Sequence, residues 1–245
     1  MLAAVGGFDP PALLAALERA TGGWSTSGLA LRPMISPATP EQRPRTVAVH
    51  LEGARVAYVV LALPAPDATQ RTRVALDVLE ELFGEGPSSP LNRSVRLALG
   101  ATYGMHASVL SDREVSWLLI HGTVRIDRAG DVLRAMAREV SRLERDGTTA
   151  EELRDAVIRA RAHSIAAWET DASLTRSIAF NAVMFRDPTF PESFRSEVQQ
   201  VTRDDLTRLA HAMLRWDRAT TVVFGPSGVI VPQLFARELQ PVVSH

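Results

Sequence analysis

Residues 88–104 read SSPLNRSVRLALGATYG and decide the fold of this 245-residue chain. One of the two opening serines is a good N-cap for a short helix, and Gly100 is placed to end that helix in a left-handed conformation. The residues from Thr102 onward predict a strand. Arg96 then lies in the last helical turn and Tyr103 at the strand entry, so both side chains can converge on one peptide group.

This stretch resembles the signature of the C-terminal domain of the M16 zinc metallopeptidases, the family of insulinase, pitrilysin and the mitochondrial processing peptidase. The family pattern is similar to S-S-x-L-N-x-x-x-R-E-x-x-G-x-x-Y-G. The positions that match it here are Ser88, Ser89, Leu91, Asn92, Arg96, Gly100, Tyr103 and Gly104. Pro90 stands where a basic residue is usual, Leu97 replaces the Glu after the Arg, and the preceding glycine loop at 84–86 is short.

The resemblance implies roles for four residues. Arg96 and Tyr103 are the catalytic candidates: Tyr103 would hydrogen-bond the developing oxyanion or the adjacent substrate backbone, and Arg96 would hold a neighbouring carbonyl. Asn92 and Gly104 are the substrate-binding candidates, for a peptide that lies extended against a sheet edge. The residue types alone leave other interpretations open, since a helix-terminal Arg can satisfy carbonyls, a Tyr can pack in a sheet, and an Asn can cap or turn the backbone.

The sequence lacks the zinc ligands that the resemblance would lead one to seek. M16 enzymes carry H-x-x-E-H on a helix, with two His on one face and a Glu between them. The six histidines here are His50, His106, His121, His163, His211 and His245, and no two lie within a helical turn of each other. We therefore expect no metal in this chain and zinc only in a partner half that bears H-x-x-E-H. His106 and His121 fall on predicted strands, where they are expected to pack or titrate in the sheet.

The composition indicates a globular protein without a charged partner. The net charge of −1 gives no electrostatic case for nucleic acid or an anionic membrane, and the absence of cysteine excludes disulfides and thiolate metal sites. The longest apolar run, from Val56 to Leu63, is too short for a membrane span, and the N-terminus does not read as a signal peptide. We expect a soluble, bacterial-type protein of the cytoplasm or periplasm.

Strand and helix signals alternate along the chain. Strands are predicted over 2–5, 46–51, 55–63, 102–110, 115–124 and 220–224, and 104–124 reads as a hairpin. Helices are predicted over 10–20, 67–83, 127–147, 149–168, 171–184, 202–216 and 231–239. This pattern indicates an α+β fold, an M16 peptidase-like half with an antiparallel-dominated mixed sheet and helices packed on one face.

The two ends of the chain carry similar elements, each a strand, a glycine turn and a helix. In the M16 family two similar domains each finish in such an element. The resemblance thus implies that residues 1–22 close a preceding zinc-binding-type domain, that 23–45 are a linker, and that 46–245 form the C-terminal domain. An isolated strand and helix cannot bury a core, so residues 1–22 are expected to need a partner sheet.

Two functions from different classes remain. The first is the substrate-binding half of a zinc metalloendopeptidase acting on extended peptides, inactive alone and working as a dimer with the zinc-bearing half. The second is a noncatalytic M16-like scaffold or assembly subunit. Arg96 and Tyr103 favour the first, whereas Leu97, Pro90 and the missing zinc motif favour the second.

Overall fold

The fold is built from one sheet and a layer of helices, seen in a computed structural model that describes residues 2–24, 45–66, 70–84, 86, 89–111, 116–236 and 241–244. The elements in chain order are α1 (Pro10–Thr21), β1 (Arg45–His50), β2 (Val56–Ala65), α2 (Gln70–Phe83), α3 (Pro90–Asn92), β3 (His106–Ser111), β4 (Ser116–Arg125), α4 (Ala129–Asp146), α5 (Ala150–Ala167), α6 (Asp171–Met184), α7 (Phe190–Glu197), α8 (Arg203–Met213), β5 (Thr220–Gly225), α9 (Ser227–Phe235) and β6 (Pro241–Ser244). A π-helical turn, Arg93–Ala98, continues α3 directly.

Within the described residues, six strands form a single mixed sheet in the order β3-β4-β2-β5-β1-β6. The pairings β3–β4, β4–β2 and β2–β5 are antiparallel, while β1 runs parallel to both β5 and β6. This topology confirms the antiparallel-dominated mixed sheet, and the β3–β4 pairing confirms the predicted hairpin.

One face of the sheet carries the core. Alternate residues of β2, which are Ala57, Val59, Leu61 and Leu63, are fully buried, whereas the residues between them are at least partly exposed. The α2 residues predicted to share one side, Val74, Val78, Leu79 and Leu82, are all buried in the same core. Full burial of a Val or Leu side chain stabilises the fold by roughly 1.5–3 kcal/mol. The helical layer thus covers one face, and the opposite face of β2, β3 and β4 is open.

Most helix boundaries agree with the capping signals in the sequence. Thr149 caps α5 and Thr202 caps α8, each through a reciprocal capping box with the residue three positions on. Gly147 ends α4 with a φ of +67°. Differences arise where the signal is weak: a 3₁₀ turn over Ile126–Arg128 precedes α4, and neither α7 nor β6 was predicted. Residues 67–69, the predicted cap of α2, lie outside the described residues.

The N-terminal segment is a helix without a strand. The helix predicted over 10–20 is present as α1, but the strand predicted over 2–5 is wrong, because no strand pairing involves these residues in the described part of the chain. β6 pairs with β1 at the edge of the sheet. None of the residues of α1 is buried. Most of the predicted linker lies outside the described residues.

Candidate functional site

The motif stretch folds as a short capped helix that starts with an α-helical turn and ends with a wider π-helical turn. Ser89 is the N-cap, since its hydroxyl accepts a hydrogen bond from the Asn92 amide at 3.3 Å. Gly100 has a φ of +56°, as the predicted left-handed stop requires. Between them, the α-helical turn α3 continues directly into a π-helix over Arg93–Ala98. Thr102 makes only an isolated bridge to Val124, and the strand begins four residues later than predicted.

Asn92 is buried, and its side chain hydrogen-bonds to three backbone segments. Its Nδ2 donates to the carbonyl oxygens of Gly84 at 2.9 Å and Met105 at 3.1 Å, and its Oδ1 accepts from the Met105 amide at 2.8 Å. A third carbonyl, that of Gly86, lies 3.2 Å from the same Nδ2. The amide group is therefore committed within the chain. A substrate contact for Asn92 stays a prediction, while its geometry is that of a residue positioning the loops around it.

Gly104 is engaged in a similar way. Its amide donates to the Thr102 hydroxyl at 3.1 Å, and its carbonyl accepts from that hydroxyl at 2.9 Å. The Thr102 hydroxyl also lies 2.6 Å from the Thr123 carbonyl oxygen, which fastens the motif loop to β4. Both backbone groups of Gly104 thus already have partners, and its predicted contact with substrate has to involve its Cα or a second lone pair on its carbonyl oxygen.

Arg96 and Tyr103 are brought together at one cavity of about 450 Å³. Arg96 is exposed on the π-helical turn, and Tyr103 is 96% exposed on the loop before β3. Neither side chain forms a hydrogen bond or ion pair with another described residue. An arginine guanidinium is permanently charged and carries five N–H donors, and the tyrosine hydroxyl can donate one more. The arrangement can therefore hold carbonyl oxygens of a bound peptide and an oxygen that gains charge.

Three further side chains line the same cavity from neighbouring strands: Tyr58 on β2, His106 on β3 and His121 on β4. The Tyr58 hydroxyl lies 2.8 Å from Nδ1 of His121. His106 and His121 pair across the strands, with ring centroids 6.0 Å apart. The sequence analysis placed the two histidines in the sheet but not Tyr58 in the site. The alternation of β2 does put Tyr58 on the open face, whereas the β2–β4 register that brings it to His121 is non-local.

The outer edge of β3 is covered by the chain itself. The Val109 amide donates to the Glu80 carboxylate of α2 at 2.9 Å. A Cβ built on Gly84 would lie only 1.9 Å from the Ala107 nitrogen, so the end of α2 is in close contact with the backbone of β3. An extended peptide cannot pair along this part of β3. The resemblance implies that the substrate lies against a sheet edge. That edge therefore cannot be this part of β3.

A second group of titratable side chains lies on the helix side, away from the cavity. Burial, followed by the nearby Glu80 carboxylate, raises the pKa of Asp77 to about 7. Burial lowers the pKa of Arg73 to about 10, although neighbouring carboxylates oppose the shift. The Arg73 guanidinium stacks 3.2 Å from the centroid of the Phe190 ring and hydrogen-bonds Asn181. This cluster joins α2 to the later helices and is structural.

Metal binding finds no support within the part of the chain that the structure describes. No three histidine, aspartate or glutamate side chains there are grouped so that they could hold a metal ion. The described residues consequently do not fit a zinc site. Among these same residues, no helix has the length and apolarity needed to cross a membrane.

The open-faced sheet, the single helical layer and the cavity beside the Arg/Tyr turn define a peptidase-like half-domain. The model of the peptidase M16 inactive domain matches residues 1–159. The chain belongs to the M16 peptidase family, as the motif at 88–104 suggested. A search of curated proteins gave no match.

Solved structures show the same fold at low sequence identity. A protease from Helicobacter pylori superposes with a TM-score of 0.79 at 19% identity, over 91% of this chain and 54% of the other. The peptidase M16 inactive domain from Pseudomonas fluorescens gives 0.74 at 20% identity, over 91% and 52%. A putative zinc protease from Bordetella pertussis gives 0.60 at 17% identity, over 72% and 98%. The chain thus spans about half the length of the first two proteins and has the fold of an M16 peptidase-like half.

Proposed function

We propose that this chain is the substrate-holding half of an M16-type zinc metalloendopeptidase that acts on extended peptides. The observation that carries the proposal is the pair Arg96 and Tyr103, two exposed side chains without partners among the described residues, presented at one cavity. Asn92 and Gly104 hold the loops of that cavity in place through hydrogen bonds within the chain.

The chemistry of this half is binding and charge stabilisation. Arg96 would hold a substrate carbonyl through its N–H donors, with a charge that does not change over the physiological pH range. Tyr103 would donate its hydroxyl proton in a hydrogen bond to the oxygen on which charge develops, which lowers the barrier when the donor is positioned beforehand. Zinc, which would activate the attacking water, belongs to the partner half that bears H-x-x-E-H.

A partner half is supported by three features of this chain. It spans about half the length of the solved structures it resembles. The helix α1 buries none of its residues within the described part of the chain. The edge of β3 is closed by Glu80 and Gly84, so a peptide bound at Arg96 would need the sheet edge of another domain for strand pairing.

The test is reconstitution with an M16 subunit that carries H-x-x-E-H and is encoded in the same genome. Hydrolysis of an internally quenched, unstructured peptide is measured for each protein alone and for the mixture. We expect no hydrolysis by this chain alone and zinc-dependent hydrolysis by the mixture. Tyr103→Phe should lower kcat by something like 10²-fold, as for loss of one oxyanion donor, and Arg96→Ala should lower kcat/KM.

The matched control is Arg93→Ala. Arg93 is an exposed arginine on the same π-helical turn, three residues before Arg96, and it does not line the cavity. Its replacement should leave kcat and KM unchanged. Equal activity of the wild type, Arg96→Ala and Tyr103→Phe mixtures, or hydrolysis by the isolated chain, would overturn the proposal.

A noncatalytic scaffold is the second candidate, and Leu97 favours it. This leucine replaces the Glu of the family pattern and is 64% exposed beside Arg96. An exposed leucine one residue after Arg96 suits an assembly surface better than the charged Glu of the family pattern does, because charged residues are depleted at the centres of protein interfaces. A stable complex that hydrolyses no peptide, and whose assembly is weakened by Leu97→Glu, would favour this function over the first.

A further inference from the structure

The position of Tyr103 depends on the backbone of the turn that carries it. Its side chain is 96% exposed and makes no hydrogen bond or ion pair with another described residue. Residues 99–105 lie outside the helices and strands, since the π-helix ends at Ala98 and β3 begins at His106. A donor on such a turn is only as well placed as the backbone beneath it.

Hydrogen bonds hold the turn on both sides of Tyr103. Before it, the Ala101 amide donates to the Val95 carbonyl oxygen at 3.2 Å, and the Ala101 carbonyl oxygen accepts from the Arg125 amide at 2.7 Å. After it, both backbone groups of Met105 hydrogen-bond to the side chain of the buried asparagine of the motif. The part of the turn between these two points needs a support of its own.

Thr102 supplies the hydrogen bonds for the middle of the turn. Its hydroxyl oxygen accepts from the Gly104 amide at 3.1 Å, which closes a side-chain turn around Tyr103. The same oxygen lies 2.6 Å from the Thr123 carbonyl oxygen and 2.9 Å from that of Gly104. A hydroxyl has one proton, so these two carbonyl oxygens compete for it, and the shorter contact favours Thr123 on β4. One hydroxyl thus joins the two neighbours of Tyr103 to each other and to the sheet.

We propose that Thr102 is the positioning residue for Tyr103, because its hydroxyl fixes the turn from which the phenol reaches the cavity beside Arg96. This inference rests on the proposed function and names a further residue on which that function depends. In this role Thr102 acts through Tyr103 and does not need to touch the peptide. An oxyanion donor is effective when it is in place before charge develops on the substrate oxygen, and the Thr102 hydroxyl meets that condition for Tyr103.

Three substitutions separate the hydroxyl from the shape of the side chain. Thr102→Val keeps the shape and removes the hydroxyl, whereas Thr102→Ser keeps the hydroxyl and removes the methyl group. Thr175→Val is the matched control. The Thr175 hydroxyl donates to the Asp171 carbonyl oxygen at 2.6 Å on α6, and Thr175 does not line the cavity. The control therefore removes a side-chain-to-backbone hydrogen bond of the same kind outside the site.

The first measurement is ¹⁵N relaxation of the full chain labelled at tyrosine. The sequence contains two tyrosines, so the spectrum holds one amide signal from Tyr103 and one from Tyr58 on β2. We expect an order parameter of about 0.85, the value of rigid backbone, for both amides in the wild type, Thr102→Ser and Thr175→Val. In Thr102→Val the value for Tyr103 should fall below about 0.6, while an unchanged value for Tyr58 shows that the sheet is intact.

The second measurement is peptide hydrolysis by the mixture with the H-x-x-E-H subunit. Thr102→Val should lower kcat by about tenfold and leave KM unchanged, because the donor acts in the transition state and a displaced donor costs less than a missing one. Thr102→Ser and Thr175→Val should stay within about twofold of the wild type. In a Tyr103→Phe background, Thr102→Val should have no further effect, since the two residues act as one unit. A role in stability alone would lower the activity in both backgrounds.

The outcomes distinguish this inference from the proposed function. A Tyr103 order parameter that is low in the wild type, or unchanged in Thr102→Val, would overturn the inference. An equal loss of kcat with and without the Tyr103 hydroxyl would overturn it as well, and the substrate-holding function would stand in each case. A wild-type mixture that hydrolyses no peptide would overturn the proposed function, whereas the order parameters would still decide whether Thr102 positions Tyr103.

Discussion

Replacing Gly84 by Ala should break the contact between the end of α2 and β3. The new Cβ would lie 1.9 Å from the Ala107 nitrogen and 2.5 Å from the His106 carbonyl carbon. An ordinary contact begins near 3.4 Å, so the two backbones would have to separate by about 1.5 Å. Gly84 does not have a left-handed φ, so the substitution tests this contact alone and not backbone strain.

The expected cost has two parts. Overpacking of a close contact costs roughly 1–3 kcal/mol. The displacement would also stretch the 2.9 Å hydrogen bond from Asn92 Nδ2 to the Gly84 carbonyl oxygen, and an unsatisfied buried group costs about 1–3 kcal/mol. We therefore expect the free energy of unfolding of Gly84→Ala to fall by about 2–6 kcal/mol.

The assay is equilibrium unfolding in urea, followed by tryptophan fluorescence and circular dichroism. Gly228→Ala is the matched control, because no atom lies within 4 Å of the Cβ it would create in α9. That control should be neutral or slightly stabilising, since Ala favours helix. A Gly84→Ala protein that unfolds within about 0.5 kcal/mol of the wild type would refute the close contact and the resulting closure of the β3 edge.

Two further predictions address the pH dependence and the motif loop. Burial raises the pKa of Asp77 to about 7 from 3.8, so the folded state binds this proton more tightly than the unfolded state. The stabilisation from this proton is complete below about pH 4 and is lost as the pH rises through about 7. In urea unfolding, Asp77→Asn should remove a fall of roughly 2–4 kcal/mol in the free energy of unfolding between about pH 4 and pH 7, and an unchanged fall would contradict the assignment. In the motif loop, Gly122→Ala would place a Cβ 2.7 Å from Met105 Sδ and 2.9 Å from the Gly104 carbonyl oxygen, whereas a Cβ on Gly104 has its nearest neighbour at 3.8 Å. Thermal melts should show a loss of about 2 kcal/mol for Gly122→Ala and less than about 0.5 kcal/mol for Gly104→Ala; equal losses would count against the packing of the loop on β4.

The parts of the fold that the sequence predicted are those set by local chemistry. Capping pairs such as Thr149 with Glu152 need only residues three positions apart, and the structure has them as predicted. The alternation of β2 likewise follows from the two-residue period of a strand. These signals are complete within a short window of sequence, so they carry over directly to the structure.

What the sequence missed depends on partners that are distant in the chain. The short strand β6 pairs with β1, which lies about 195 residues earlier in the chain. The residues of the strand predicted over 2–5 pair with no strand in the described part of the chain. Asn92 hydrogen-bonds to the backbone of Met105, thirteen residues later in the chain. No pattern in the neighbouring sequence distinguishes an Asn with such a structural contact from one that contacts substrate. Arg96 and Tyr103 line one cavity, and the Gly100 turn that lies between them in the chain is a local feature.

The closure of the β3 edge by α2 limits how this chain can assemble. Sheets that end in an open edge extend readily by strand addition, which joins copies or partners into continuous sheets. At β3 the amide of Val109 is already capped by a carboxylate, and the helix end lies against the backbone. At the β3 side, a neighbouring domain would then have to pack against the open face of the sheet. It would cover the Arg96 cavity and would not add a strand to the sheet.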